Sequence, residues 1–436
     1  MFTKIKLTAR HLLDVIAITA MFIFSLLRLL CNIKSIHNAE LIVVMPEGGF
    51  GHTCILPDAM RRLFKGKKLL CICLSYYNRH NWKLPLIWKD IVQLFLPLQA
   101  GVSLFGHKFI STKSPFYRNT LILTVFKFAH IVNNHNAQIM LYEKFLASYL
   151  MPLVPEGFRK SSSEVSNAAQ HQWIVAYYKI VQGTDVPKAS LPHHIREQIA
   201  QRLDCVCRLK GKKLCGLYLR QKGRSMMDNV TNTARDGSAL EEYLPAVEFL
   251  IKNGYQVLLT GDVLCPEPIY RRFKGMLADY KKLKCNEKYF NLFVCTEVDM
   301  FIGENGGAIT LPAVNKTPIL CLNAYPYAFT TASTFLWIYY KTLRDTSGDL
   351  IHYKDIFKDS PYLYDYHIQR NYTLHTIGGD DILKAVRYFV EDIKNTPALN
   401  IKDRPIENTL PDYVFLKHVN ARLSPAFLEL FEKDSV

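Results

Sequence analysis

The chain has 436 residues, 49% of them apolar and 21% charged, a balance that excludes a disordered chain and a multi-span membrane protein. That length exceeds what one hydrophobic core usually organises, so two domains of roughly 200 residues are expected. The formal charge of +16 favours anionic partners such as nucleotides or acidic lipid head groups; the basic residues are dispersed and lack aromatic interleaving, so no nucleic acid is expected.

The eleven cysteines form no C-x-x-C pair and no zinc-like spacing with histidine, and an odd number without a framework suits a reducing compartment. Residues 11–33, HLLDVIAITAMFIFSLLRLLCNI, are uncharged from Val15 to Leu27 between Asp14 and Arg28. That run falls short of the about 20 apolar residues a span needs. A helix lying in the membrane interface, a signal anchor extended by a snorkelling Arg28 and a buried first helix all remain open, with Lys4, Lys6 and Arg10 ahead of the run as an anchor would have. Residues 1–36 are expected to govern membrane association rather than folding.

Residues 40–64, ELIVVMPEGGFGHTCILPDAMRRLF, read as a buried strand, a glycine-rich turn and a helix with Ile55, Leu56, Met60 and Leu63 on one face. KLLCICLS at 68–75 supplies a second, parallel strand, and the segments on to about residue 180 lean towards helix. A new α/β series opens with the strand KKLCGLYLR at 212–220. Residues 238–262 then give a helix with Leu240, Tyr243, Leu244, Val247, Leu250 and Ile251 on one face, closed by Asn253-Gly254 and followed by the strand YQVLLTG. FNLFVCT comes next. In the stretch 299–322, DMFIGENGGAITLPAVNKTPILCL, MFIG is a strand, ENGG a turn, AITLPAVN a helix and PILCL a strand. Such a doubly wound series binds its ligand outside the carboxyl ends of its strands.

The ENGG turn interrupts two apolar runs because small residues before a helix leave backbone N–H groups free for an anion. Gly306 and Gly307 let a phosphate approach, and Glu304 or Asn305 can meet a sugar hydroxyl; a turn needing glycine for its backbone angles is the plain alternative. Other strand ends bring Arg220 with Lys222 just beyond it, a polar loop ending in Arg235 and Asp236, and Gly261-Asp262. Together these suit a diphosphate-bearing ligand. In the first half PEGGFGH offers Gly48, Gly49 and Gly51 to an acceptor, with His52 near a helix N-terminus whose positive end keeps the imidazole neutral. The candidate bases are His52, Asp236 and Glu47, in that order. G-G-x-G-H is not a dinucleotide fingerprint.

The segments GGFGHTCILPDAMRRLF, LYLRQKG, ARDGSALEEYLPAVEFLIKNGYQVLLTGD, DMFIGENGGAITLPAVNKTPILCLN and IYYKTLRDTSGDLIHYKDIF, taken in order, resemble bacterial glycosyltransferases of the GT-B fold and, more distantly, the lipopolysaccharide heptosyltransferases. The resemblance covers roughly residues 40–390. It implies an α/β, GT-B-like architecture of two Rossmann-like, doubly wound domains facing a cleft, with an N-terminal hydrophobic helix. The expected divisions are a membrane-associating segment 1–36, an acceptor domain 37–205, a donor domain 206–395 and a tail 396–436 packing back on the first domain.

It further implies sugar transfer from a nucleotide sugar to a cell-surface glycan, lipid-linked or protein acceptor, with no cofactor and no metal, at the cytoplasmic face of the inner membrane and against its anionic surface. By position Arg220 matches a strand-end basic residue, Arg235 and Asp236 an Arg-Asp pair, Gly306 and Gly307 the small residues of a donor loop, and Lys341 a lysine after the last core strand. Glu304-Asn305-Gly306 departs from the serine-glycine arrangement common in relatives. The rival reading is a non-catalytic nucleotide- or sugar-binding protein at the membrane.

Overall fold

The computed structural model describes residues 2–45, 50–76, 82–99, 101–104, 107–110, 115–134, 136–156, 158–159, 172–207, 212–220, 234, 236–327, 336–359, 365–395, 409–412, 414–419 and 421–432. They fall into two compact units, Met1–Tyr149 and Leu150–Val436.

In the first unit β1 (Leu41–Met45), β2 (Leu69–Tyr76), β3 (Val92–Gln99) and β6 (Gln138–Leu141) make one sheet in the order β3-β2-β1-β6. All three pairings are parallel. A separate antiparallel hairpin joins β4 (Gly101–Leu104) and β5 (His107–Ile110). Every residue of LIVVM in β1 is buried, as a central strand covered on both faces requires. One face presents Ile42, Val44, Leu70, Ile72, Leu74, Leu94 and Leu96 to the helices Phe2–Cys31 and Pro115–Asn133. The other meets the helix Phe50–Leu63, where the buried Gln93 amide donates to the Thr53 carbonyl at 2.7 Å.

The N-terminal helix corrects the expectation that residues 1–36 stand apart from folding. Met21, Ser25 and Leu29, spaced four apart, are buried along with Ile36, and the three apolar ones join the same cluster as the sheet. Among the described residues no helix is long and apolar enough to cross a membrane. β3 and β6 were not read from the sequence. A short, mostly apolar run such as VQLFLPLQ carries too few residues for its period to identify it as a strand.

The second unit holds β7 (Lys213–Leu219), β8 (Tyr255–Gly261), β9 (Leu277–Ala278), β10 (Met300–Glu304), β11 (Ile319–Ala324), β12 (Leu336–Tyr340) and β15 (Ala421–Leu423) in one sheet, ordered β15-β12-β11-β10-β7-β8-β9. Every pairing is parallel. A short antiparallel pair, β13 (Thr342–Arg344) with β14 (Thr373–His375), stands beside it. The chain lays down β7, β8 and β9 in one direction and then returns to the other side of β7 with β10, β11 and β12. That is the 3-2-1-4-5-6 order of doubly wound folds, reversing between β7 and β10.

The helix Leu240–Lys252, its glycine stop at Gly254 (φ +85°) and β8 lie where the sequence put them. FNLFVCT belongs to the helix Glu287–Thr296, whose first turn is capped by the Asn286 side chain. Residues 184–207, expected with the first domain, are tied to the second unit: the Asn315 side chain accepts from the Ala189 N–H at 2.9 Å and donates to its carbonyl at 2.7 Å, and Arg196 pairs with Glu297. The tail, expected to pack back on the first domain, supplies in its described part the edge strand β15 and the helix Pro425–Glu432. Phe427 there packs on Tyr339, Tyr340 and Tyr353.

Candidate functional site

Where strand order reverses, the loops leaving two neighbouring strands part to opposite faces of the sheet and open a crevice at the carboxyl ends. In the second unit those two ends are Leu219-Arg220 after β7 and Glu304 to Gly307 after β10.

Glu304 is fully buried, and its carboxylate joins the surrounding loops. One oxygen accepts from the Arg220 N–H at 2.7 Å; the other accepts from the Ser238 N–H at 2.7 Å, the Tyr243 hydroxyl at 2.9 Å and the Asn323 amide at 3.3 Å. Burial pushes its pKa up to about 7, against the opposing pull of the Arg220 N–H, Tyr243, Ser238 and the Lys341 charge. Gly237 makes the arrangement possible, because a Cβ there would lie 1.7 Å from the carboxylate. Asn323, in the left-handed region at φ +52°, donates to the Ser238 hydroxyl at 2.9 Å and accepts from the Ile377 N–H at 3.0 Å. Lys341 is buried, with its ammonium on the Asp236 carbonyl.

This network fixes what lies at the rim. The Arg220 backbone is held by Glu304, its side chain is half-buried, and its Nε meets no acceptor among the described residues. Gly306 is extended (φ −171°), so its need for glycine comes from close approach: a Cβ would stand 2.9 Å from the Tyr218 hydroxyl. Asn305 is buried and donates to the Tyr325 carbonyl at 2.7 Å. Gly261 takes φ +105° with a Cβ position 2.2 Å from the Leu219 carbonyl, and the Asp262 N–H donates to that oxygen at 3.0 Å. The helix after the turn is two short pieces, a 3-10 turn Gly307–Ile309 and the helix Thr310–Val314. Helical pieces this short offer an anion little dipole.

The structure thus brings Arg220, Asp236, Gly261, Asp262, Glu304, Asn305, Gly306, Gly307 and Lys341 to one end of the second sheet. It places Glu304, Asn305 and Lys341 in the framework beneath that end, where they bond to Tyr243, the Tyr325 carbonyl and the Asp236 carbonyl. Lys222 and Arg235 lie outside the described residues. Sequence reasoning gave Tyr243 only to an apolar helix face and did not single out Ser238 and Asn323, nor the pair Tyr325 and His367, whose hydroxyl and Nδ1 are 3.0 Å apart. No local pattern marks them, because their partners are distant in sequence.

In the first unit the corresponding reversal is between β1 and β6. His52, in the first turn of the helix after β1, has its Nδ1 3.2 Å from the hydroxyl of Tyr142, the residue that follows β6. Burial lowers the His52 pKa and raises that of Tyr142. The ring is thus kept neutral by desolvation, where the sequence reading credited the helix end. Gly51 lies beside His52 in that helix; Glu47, Gly48 and Gly49 are outside the described residues. Among the described residues no group of three or more His, Cys, Asp and Glu side chains could hold a metal ion.

No protein-family model and no curated protein matches the chain. Among solved structures it is similar to the glycosyl transferase family 9 protein from Veillonella parvula DSM 2008, at 12% identity over 81% of this chain and 98% of that one, with a TM-score of 0.45. It is also similar to E. coli ADP-heptose lps heptosyltransferase II, at 11% identity over 81% and 99% of the two chains with a TM-score of 0.40. For E. coli heptosyltransferase WaaC with ADP-2-deoxy-2-fluoro heptose the figures are 10%, 76%, 99% and 0.36.

Proposed function

We propose that the chain is a glycosyltransferase that takes its sugar from a nucleotide donor held at the carboxyl end of the second sheet. The observation that carries this reading is the strand-order reversal between β7 and β10 with the Arg220 guanidinium at its rim, on a backbone anchored by a buried carboxylate. Loss of a nucleoside diphosphate builds negative charge on the leaving oxygens, and a guanidinium on an anchored backbone beside a glycine turn can neutralise it without a metal. Transfer also needs a proton acceptor for the incoming hydroxyl. A desolvated, neutral imidazole serves that end, and His52 is the candidate base. The acceptor is a cell-surface glycan, a lipid-linked intermediate or a protein.

Screening nucleotide sugars with and without excess EDTA tests the reading. Transfer or slow hydrolysis that persists in chelator is expected, and His52→Ala should abolish turnover while leaving donor affinity within about twofold. Donor binding with no turnover under any condition, or strict dependence on added manganese, would overturn it.

A further inference from the structure

The helix Phe2–Cys31 has two apolar faces, and the fold uses one. Met21, Ser25 and Leu29 point into the first sheet. On the opposite side Ile16, Ile23, Leu27 and Leu30 are each at least half exposed. The neighbouring helix Pro115–Asn133 repeats the pattern: Tyr117, Leu121, Val125 and Ala129 are buried four apart, while Leu123 and Ile131 are 62% and 76% exposed. Both inner faces pack on the same side of one sheet, so both outer faces look away from it on that side. The Asn133 side chain ties the second helix to the short helix Ile33–Asn38 that follows the first, donating to the Ile36, His37 and Ala39 carbonyls.

We propose that this paired helix surface docks the chain on an anionic membrane, lying flat on the lipid head groups with its apolar side chains dipping into the acyl boundary. The proposal is independent of the reaction at the second sheet. Charge selects the partner. Residues 1–149 carry 18 Lys and Arg against 6 Asp and Glu, so a third of the chain holds +12 of the net +16. No acidic residue occurs in 15–39 or in 91–142, the spans that contain both faces. An apolar surface on a strongly basic unit, with Lys34 and Lys127 exposed on the same segments, fits acidic lipid, since hydrophobic insertion and electrostatic attraction then act together. Spanning does not fit, because the inner face already forms part of the core.

A second copy is the competing occupant. Ile16, Ala20, Ile23, Leu27 and Leu30 recur at intervals of four and three, as in a coiled-coil seam. The run amounts to about two heptads, fewer than a stable coil needs, and pairing would bring two +12 units together.

Flotation of the full chain with vesicles of phosphatidylcholine, alone or with about 30% phosphatidylglycerol, tests this. Binding to the anionic vesicles should be about tenfold stronger and should weaken with salt. The triple variant Ile23→Gln, Leu27→Gln, Ile131→Gln should lose about tenfold in vesicle binding with its melting transition intact, since those positions are exposed. Lys34→Glu with Lys127→Glu, both on exposed positions, should lose the preference for anionic lipid without touching the apolar contacts. Equal flotation of wild type and variants would overturn the proposal, as would failure to bind anionic vesicles, or a concentration-dependent dimer that the triple variant abolishes.

Discussion

The two sheets end their central strands in different ways. After β10 a buried carboxylate gathers donors from Arg220, Ser238, Tyr243 and Asn323, so four segments are fixed before any ligand arrives. After β1 a ring stands where the second sheet has a carboxylate: the His52 Nδ1 lies 3.2 Å from the Tyr142 hydroxyl. If a nucleotide leaves there as proposed, a rim whose backbone is already held by Glu304 needs no reorganisation as charge develops. On the same proposal a base gains instead from desolvation, which favours the neutral ring. Crowding or removing the Glu304 carboxylate is therefore expected to disturb several loops of the second sheet at once, and removing the Tyr142 hydroxyl to cost the first one hydrogen bond.

The largest effect is expected from Gly237→Ala. Its Cβ would fall on the Glu304 carboxylate, forcing apart the loop and the strand end, and a loss of about 4 kcal/mol or of the folded second unit should appear in thermal denaturation. A variant as stable as the wild type would show that the loop is not locked.

Glu304→Gln comes next. Since burial raises the carboxyl to about 7 from a usual value of 4.5, the folded state holds this proton more tightly than the unfolded one. The resulting stabilisation is complete below about pH 4.5 and is lost as pH rises through about 7, a difference of about 3 kcal/mol. Melting curves from pH 4.5 to 8 should show that decline in the wild type and a flatter profile in Glu304→Gln. Parallel profiles would mean the carboxylate titrates normally.

Tyr142→Phe should have the smallest effect, about 1 kcal/mol in stability for one hydrogen bond, read by urea denaturation. A loss as large as that from Gly237→Ala would erase the contrast between the two sheet ends.

Much of this was legible in the sequence, and the limits have physical causes. β7, β8, β10 and β11 were readable because parallel central strands are apolar on both faces and end at Gly or polar turns. Arg220 was readable as a cation at a strand end. Glu304 was placed correctly at the strand end but assigned to the ligand; what buries it are donors up to 84 residues away, and no spacing rule distinguishes an acid facing a sugar from one facing its own chain. The N-terminal helix was ambiguous for a related reason. A segment apolar all round satisfies a core, a membrane or both, and only the packing of Met21 and Leu29 decides for the inner face.

The central claim is that the rim of the second sheet binds a nucleoside diphosphate through Arg220. Titration calorimetry of ADP, UDP and GDP against the wild type and Arg220→Ala tests it most directly. At least one nucleotide should bind the wild type, and the variant should lose about 1.5 to 3 kcal/mol, or roughly 10- to 150-fold in affinity, with an unchanged melting temperature. A folded Arg220→Ala protein that binds the nucleotide as tightly as the wild type would contradict the account.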